Sequence, residues 1–294
     1  MTRARVLVIY KKSAYQIYIR ERRNSRVQQL LSARDRTALR LLRAHEDHVA
    51  TMDAARSVLA QLGAKAVFRY RSDPAIADEH DLVMTLGGDG TLLWASHSVG
   101  QVPMLAINTA PRDSVGYFCA GQRDNLADVL GDALRGRLRA TQMTRMAVTV
   151  DDEVVSNRVL NDILFSHECP AATTRYTLAL GRAHEEQKSS GLWVGPGAGS
   201  TAAQASAGGA LFSATSKKLQ FVVREPYVGA GSTLQMTSGF VSARQVLRVK
   251  SGIRAGRLYV DGPHLARVVD IGSVLSLRVS NEALTLLGFR RPLR

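Results

Sequence analysis

The hydrophobic rhythm of the chain changes once along its length. Through residue 108, short apolar runs alternate with longer amphipathic stretches. Residues 5–10 read RVLVIY, a strand-length apolar run, and residues 27–62 place apolar side chains at helical spacing, as one or two helices stopped at Gly63. Residues 64–70 and 80–86 are strand-like again, followed by a helix to about Val99 and a buried strand over 102–108. Alternating strands and helices, with strands apolar on both faces, predict a parallel sheet covered on each side. Beyond residue 140 the segments shorten. Residues 147–150, 159–165, 175–180, 219–223, 247–249, 258–260 and 274–279 read as strands joined by turns, and no fixed-period repeat runs through them. The expected fold is α/β plus β: a Rossmann-like parallel α/β domain over residues 1–118 and a β-rich, sandwich-like domain over 119–279. Residues from about 280 to 294 return to the first domain.

Composition narrows the partners. With 294 residues and 45% apolar content the chain can bury a proper core, and no apolar run approaches the length of about 18 residues that a bilayer requires. A strand pattern from Arg5 onward leaves no room for a leader ahead of it. Only Cys119 and Cys169 are present, too few for a disulfide framework, so the cytoplasm is the expected location and no membrane partner is expected. The net charge of +14 draws anions. Its arginines are spread along the chain, aromatic residues make up 6%, and no base-stacking motif is present. That favours phosphorylated small molecules over nucleic acid.

The candidate chemistry sits in two glycine-rich segments. Gly87-Gly88-Asp89-Gly90-Thr91 joins a strand to a helix, where glycines let backbone amides approach an anion and the helix start adds partial positive charge. A carboxylate beside phosphates repels them, so Asp89 reads as a metal contact or as the acceptor of a proton from an attacking hydroxyl. The alternative is an ordinary tight turn with Asp89 as a helix cap. Residues 188–203 (KSSGLWVGPGAGSTAA) offer small and hydroxylated side chains, a backbone-lined site for a flat or anionic ligand, or else a flexible loop. His45-Glu46-Asp47-His48 lies on a polar helix face and is expected to be solvated rather than to hold a metal. Cys119 and Cys169 are expected as small buried hydrophobes, and Trp94 and Trp193 as packing behind the two glycine segments.

Five elements in order carry a resemblance: the GGDGT turn at Gly87 to Thr91, Ile107-Asn108-Thr109, Leu160-Asn161-Asp162, the GAGSTA loop at Gly197 to Ala202, and Val260-Asp261-Gly262. Together they resemble the NAD kinases nearly end to end. Tyr10-Lys11-Lys12-Ser13, the run from Asn108 to Gly116, and Gln187 to Leu192 resemble the mitochondrial-type branch. The resemblance implies an active site in the cleft between the two domains and transfer of the ATP γ-phosphoryl group to the 2′-hydroxyl of the adenosine ribose of NAD, giving NADP. It implies Asp89 as the catalytic carboxylate and Gly87, Gly88, Gly90 and Thr91 as the phosphate site, with Mg2+ carried on ATP. It implies NAD contacts from Asn108, Tyr117, Phe118, Asn161, Asp162, Ser190, Ala198, Gly199, Ser200, Thr201, Ala202 and Asp261. NADH as acceptor, another phosphoryl donor and a homodimer or homotetramer also fall within what it implies.

Three positions depart from the family pattern. Asp162 stands where Glu is usual, Ala203 where an aromatic is common, and Ser190 where many members carry an acid. These departures keep a non-catalytic NAD-binding or sensing protein open as an alternative. A lipid kinase with the same turn is a second alternative, although Leu92-Leu93-Trp94 follows here instead of its usual Asn-Glu.

Overall fold

A computed structural model describes residues 3–74, 76–229 and 233–289. Two compact units emerge: Met1–Thr141 with Thr285–Arg294, and Gln142–Leu284. The chain thus leaves the first unit after Thr141, where the sequence pattern put the change at residue 118.

The first unit is built on a seven-stranded sheet. Its elements in order are β1 (Arg5–Tyr10), α1 (Ser25–Ser32), α2 (Arg36–Gln61), β2 (Lys65–Tyr70), β3 (Leu82–Gly87), α3 (Asp89–Ser96), β4 (Met104–Asn108), β5 (Gly121–Gln122), α4 (Leu126–Leu134) and β6 (Ala140–Met143). The one or two helices expected over 27–62 are two, α1 and α2, each opened by a side-chain cap. Asn24 Oδ1 accepts the Val27 amide at 3.0 Å and Asp35 Oδ1 the Thr37 amide at 2.8 Å. Gly63, at φ +69°, ends α2 in the left-handed conformation that glycine adopts without strain. The strand order is β2-β1-β3-β4 with β1, β2, β3 and β4 parallel, as the apolar runs predicted. Val6, Val8, Met84, Leu86, Leu105 and Ile107 bury one face against Met52, Ala55 and Leu59 of α2 and Leu126 and Leu130 of α4.

The second unit holds β7 (Met146–Val150), β8 (Glu153–Val159), β9 (Ile163–His167), β10 (Thr174–Leu180), β11 (Ala183–Ser189), β12 (Gly191–Pro196), α5 (Ala203–Ser206), β13 (Lys218–Arg224), β14 (Ser238–Ser242), β15 (Leu247–Ser251), β16 (Gly256–Val260), β17 (Leu265–Val269) and β18 (Val274–Val279). Its strands form two six-stranded sheets, β11-β10-β15-β18-β7-β8 and β14-β13-β12-β9-β16-β17. One core of inward-facing residues joins them, with Val148, Leu178, Val249 and Leu277 from the first sheet against Phe165, Val194, Phe221 and Leu258 from the second. This is the expected β-sandwich.

The returning segment is β19 (Leu284–Leu287), parallel to β4 through Leu286 and Met104 and lying between β4 and β6 in the first sheet. The basic residues Arg290, Arg291 and Arg294 lie outside the described residues. Among the described residues no helix is long and apolar enough to cross a membrane.

Two expectations are corrected here. Residues 159–165 are not one strand: β8 ends at Val159 in one sheet and β9 begins at Ile163 in the other. Much of the second glycine-rich segment is not loop, because β11 and β12 take up residues 183–189 and 191–196.

Candidate functional site

In the first unit, β3 ends at Gly87 and α3 begins at Asp89. A Cβ at Gly87 would lie 2.1 Å from Thr91 Oγ1 and one at Gly88 2.5 Å from Ser114 Oγ, so the turn closes only around glycine. Thr91 is buried with its hydroxyl over Gly87, while Gly90 is exposed and open on its Cβ side. Asp89 caps the turn with both carboxylate oxygens: Oδ2 accepts the Tyr117 amide and Oδ1 the Phe118 amide, each at 2.9 Å. A carboxylate held by two amides is fixed in orientation, with lone pairs left for a hydroxyl donor.

The loop that supplies those amides is shaped by Asn108. Its Nδ2 donates to Ser114 O at 3.0 Å and its Oδ1 accepts the Ala110 amide at 3.1 Å. Asn108, expected to contact NAD, is buried, and its amide shapes the loop. Phe118 is likewise a core residue, 2% exposed. Tyr117 is half-buried, edge-on to Phe118 and Phe289 with centroids 5.0 and 5.5 Å away, so of the predicted aromatic pair Tyr117 is the one with accessible surface.

Helix α2 clamps the strand ends from behind. His45 Nδ1 pairs with Ser13 Oγ at 2.8 Å and stacks on Tyr15, while His48 Nδ1 pairs with Thr109 Oγ1 at 2.9 Å and the His48 ring also bonds the Lys11 backbone. Both histidines are buried, which corrects the expectation of a solvated face. Burial first, then the Lys11 charge, pushes the His48 pKa down to about 4, so its ring is a neutral hydrogen-bonding strut. Positions 45, 48, 52, 55 and 59 of α2 form one buried stripe at helical spacing, and that was the signal in the sequence. Burial, followed by the Asp89 charge, raises the Cys119 thiol to about 12, whereas Cys169 is exposed and not the buried hydrophobe expected. The Trp94 indole N–H donates to the Arg71 carbonyl, and the Arg71 guanidinium lies over its ring.

In the second unit, Asp261 explains the break between β8 and β9. Held at φ +48°, its carboxylate accepts the amides of Leu160 at 2.9 Å, Asn161 at 2.7 Å and Asp162 at 3.1 Å, and its own amide donates to Asp162 O. Asp261, expected as a ligand contact, braces the bend that presents Asn161 and Asp162. Asp162 is buried, and burial first and the Asp261 charge second raise its carboxyl to about 7. Asn161 Oδ1 is buried without a hydrogen-bond partner. So is Oε1 of Gln204, a residue on α5 with no exposed surface whose Nε2 donates to Asn161 O at 3.5 Å. Three acceptor groups gathered on Asn161, Asp162 and Gln204 call for a donor-rich ligand such as a ribose diol. Gln204 went unremarked in the sequence, although it is the one long polar side chain in an Ala- and Ser-rich run.

The GAGSTA loop meets its neighbours through backbone. A Cβ at Gly199 would stand 1.9 Å from Asn161 O, one at Gly195 2.2 Å from the same atom, and one at Gly197 2.0 Å from Ser213 O. Ala198 and Ser200 are buried, and the Ser200 hydroxyl donates to Gly197 O at 2.8 Å and accepts the Phe212 amide at 3.3 Å. Gly199 thus packs against the Asn161 carbonyl, while the Ser200 hydroxyl closes the loop on Gly197 and Phe212. Thr201 is exposed, and Ala202 and Ser190 are half-buried.

The family pattern described as the ATP-NAD kinase N-terminal domain matches residues 6–138. The chain is 31% identical over 259 residues to a probable NADH kinase of Oryza sativa subsp. japonica, covering 80% of this chain and 79% of that protein. It is 34% identical over 226 residues to an NADH kinase of Arabidopsis thaliana, covering 69% and 70%. In fold it is similar to the crystal structure of an NAD kinase from Archaeoglobus fulgidus in complex with ATP. The TM-score is 0.67 at 18% identity, over 98% of this chain and 94% of that one.

Proposed function

Since the chain belongs to the NAD kinase family, we infer that it is a phosphotransferase that converts NAD to NADP, moving the γ-phosphoryl group of ATP to the 2′-hydroxyl of the adenosine ribose. The observation that carries this reading is the Asp89 carboxylate, fixed by the Tyr117 and Phe118 amides at the end of a parallel strand. In open α/β sheets ligands bind at such carboxyl ends. A secondary ribose alcohol is a poor nucleophile at neutral pH. Asp89 aligns it for attack on the γ-phosphorus and takes its proton as the new P–O bond forms and the bond to the β,γ-bridging oxygen breaks, releasing ADP. Amides at the start of α3, reached past exposed Gly90, receive phosphate oxygens.

In the second unit Asn161 and Asp162 accept hydrogen bonds from ribose hydroxyls, with Gln204 beside them. Mg2+ carried on the nucleotide is part of the proposal. No group of three or more His, Cys, Asp or Glu among the described residues is placed to cage a metal, and Mg2+ is commonly held by phosphates and water with one or two carboxylates. Bound there, it would offset the negative charge of the phosphates. Neither relative nor fold favours lipid as the acceptor. The two plant relatives named NADH kinases make NADH a second acceptor to test beside NAD. A homodimer or homotetramer and a cytoplasmic location complete the proposal.

The test is formation of NADP or NADPH by the purified chain from NAD or NADH with ATP and Mg2+, with light scattering for the oligomer. Product from either acceptor supports the reading. Nucleotide binding without product from any donor would replace it with a binding protein.

A further inference from the structure

Lys11 and Arg71 continue β1 and β2 beyond their ends. The Arg71 amide donates to Tyr10 O at 2.9 Å and the Lys11 amide to Leu86 O at 3.4 Å, in a register that pairs Tyr10 with both Tyr70 and Leu86. Arg71, Lys11 and Gly87 therefore stand side by side along the carboxyl edge of three parallel strands. Lys12, one residue on, pairs with Glu21 at 2.8 Å. Lys11 and Arg71 have no such partner: among the described residues neither lies within ion-pair distance of a carboxylate.

The surroundings do not supply the missing counter-charge. Lys11 is half-buried, and burial and the Arg71 charge both lower its pKa. Cys119, within electrostatic range of Lys11, is held as a neutral thiol, and His48, bonded to the Lys11 backbone, is a neutral ring. Both cations are nevertheless placed. His48 anchors the Lys11 backbone, while Trp94 anchors Arg71 through its indole N–H and by lying under the guanidinium at 5.4 Å. Two neighbouring cations, pinned and without a counter-ion beside a glycine turn, are an arrangement that a polyvalent anion stabilises.

We propose that Lys11 and Arg71 bind the oligophosphate chain of a nucleotide substrate beside the Gly87–Gly90 turn. This rests on the phosphotransfer reading above, which provides two such chains, the triphosphate of the donor and the pyrophosphate of the acceptor. Lysine meets it as a point charge, and the planar guanidinium can engage two oxygens of one phosphate.

The experiment compares wild type, Lys11→Met, Lys11→Arg and Arg71→Gln as full-length protein, measuring KM for ATP and NAD separately and binding of inorganic triphosphate by calorimetry. Lys11→Met and Arg71→Gln are expected to raise one KM about tenfold or more with the other nearly unchanged, to abolish triphosphate binding, and in Lys11→Arg to show most of the binding restored. A rise in the ATP KM assigns the site to the donor; a rise in the NAD KM assigns it to the acceptor. Unchanged KM values for both nucleotides, or triphosphate binding that survives both charge removals, overturns the proposal. Should Lys11→Met not fold, Arg71→Gln carries the same comparison. Wild type that binds triphosphate but forms no NADP would count against the phosphotransfer reading and leave the anion site standing.

Discussion

The two glycine-rich segments are alike in composition and opposite in use. At Gly87 to Thr91 the missing Cβ atoms make room for side chains, Thr91 over Gly87 and Ser114 over Gly88, and Gly90 faces open space. At Gly195 to Gly199 they make room for backbone oxygens of Asn161 and Ser213 at about 2 Å from where a Cβ would stand. The first is a turn that leaves Gly90 exposed and the Asp89 carboxylate half-buried beside it. The second is a wedge packed against the backbone of Asn161 and Ser213. Glycine content alone marks close approach; what approaches decides whether the segment binds or braces.

The sharpest way to break that contrast is one methyl group in each segment. Gly199→Ala drives a Cβ into the Asn161 carbonyl and is expected to cost roughly 4 kcal/mol or more, seen as loss of folded protein or a large fall in Tm. Gly90→Ala, in a helix with nothing near its Cβ, is expected to leave Tm unchanged or raise it slightly. Equal effects at the two positions would erase the distinction.

The units also respond to pH in opposite directions. Asp162 is raised from 3.8 to about 7, so the folded state favours its neutral form; that contribution is full below about pH 4 and is lost as pH rises through 7. Asp162→Asn is thus expected to be more stable than wild type at pH 8, by about 4 kcal/mol, with the difference vanishing toward pH 4. His48 is lowered from 6.5 to about 4, so its contribution is present above pH 6.5 and lost as pH falls through 4. His48→Gln should flatten that acid limb, removing a pH dependence of up to about 3 kcal/mol. Denaturant titrations from pH 4 to 8 check both signs. The smallest effect is chemical: at pH 8 a thiol alkylating agent should label exposed Cys169 and spare Cys119, read by mass spectrometry.

Legibility in the sequence followed burial. Strands β1, β3 and β4 were visible because a parallel sheet covered on both faces needs continuous apolar runs. Ala183–Ser189 was missed because β11 lies at a sheet edge and reads AHEEQKS, with charge where a core strand has none. Gly191–Pro196 was hidden by its glycines and proline. Residues 159–165 looked like one strand since the agent that breaks them, Asp261, lies about a hundred residues away. In the site, Asp89 was legible from its motif. Its amide partners at Tyr117 and Phe118, the role of Asn108 as loop former and the convergence of Gln204 on Asn161 depend on tertiary contacts that no local pattern records.

The central claim is that Asp89 makes the first unit catalytic. The direct measurement is NADP formation by wild type and Asp89→Asn, with NAD, ATP and Mg2+, on samples whose fold and nucleotide binding are checked first. The variant keeps one acceptor for the Tyr117 and Phe118 amides and is expected to lose about 1–3 kcal/mol of stability, so the rates are compared where both proteins are folded. Wild type should make NADP, and Asp89→Asn should bind nucleotide while turning over about a hundredfold or more slowly. A folded Asp89→Asn that works at the wild-type rate would contradict the account.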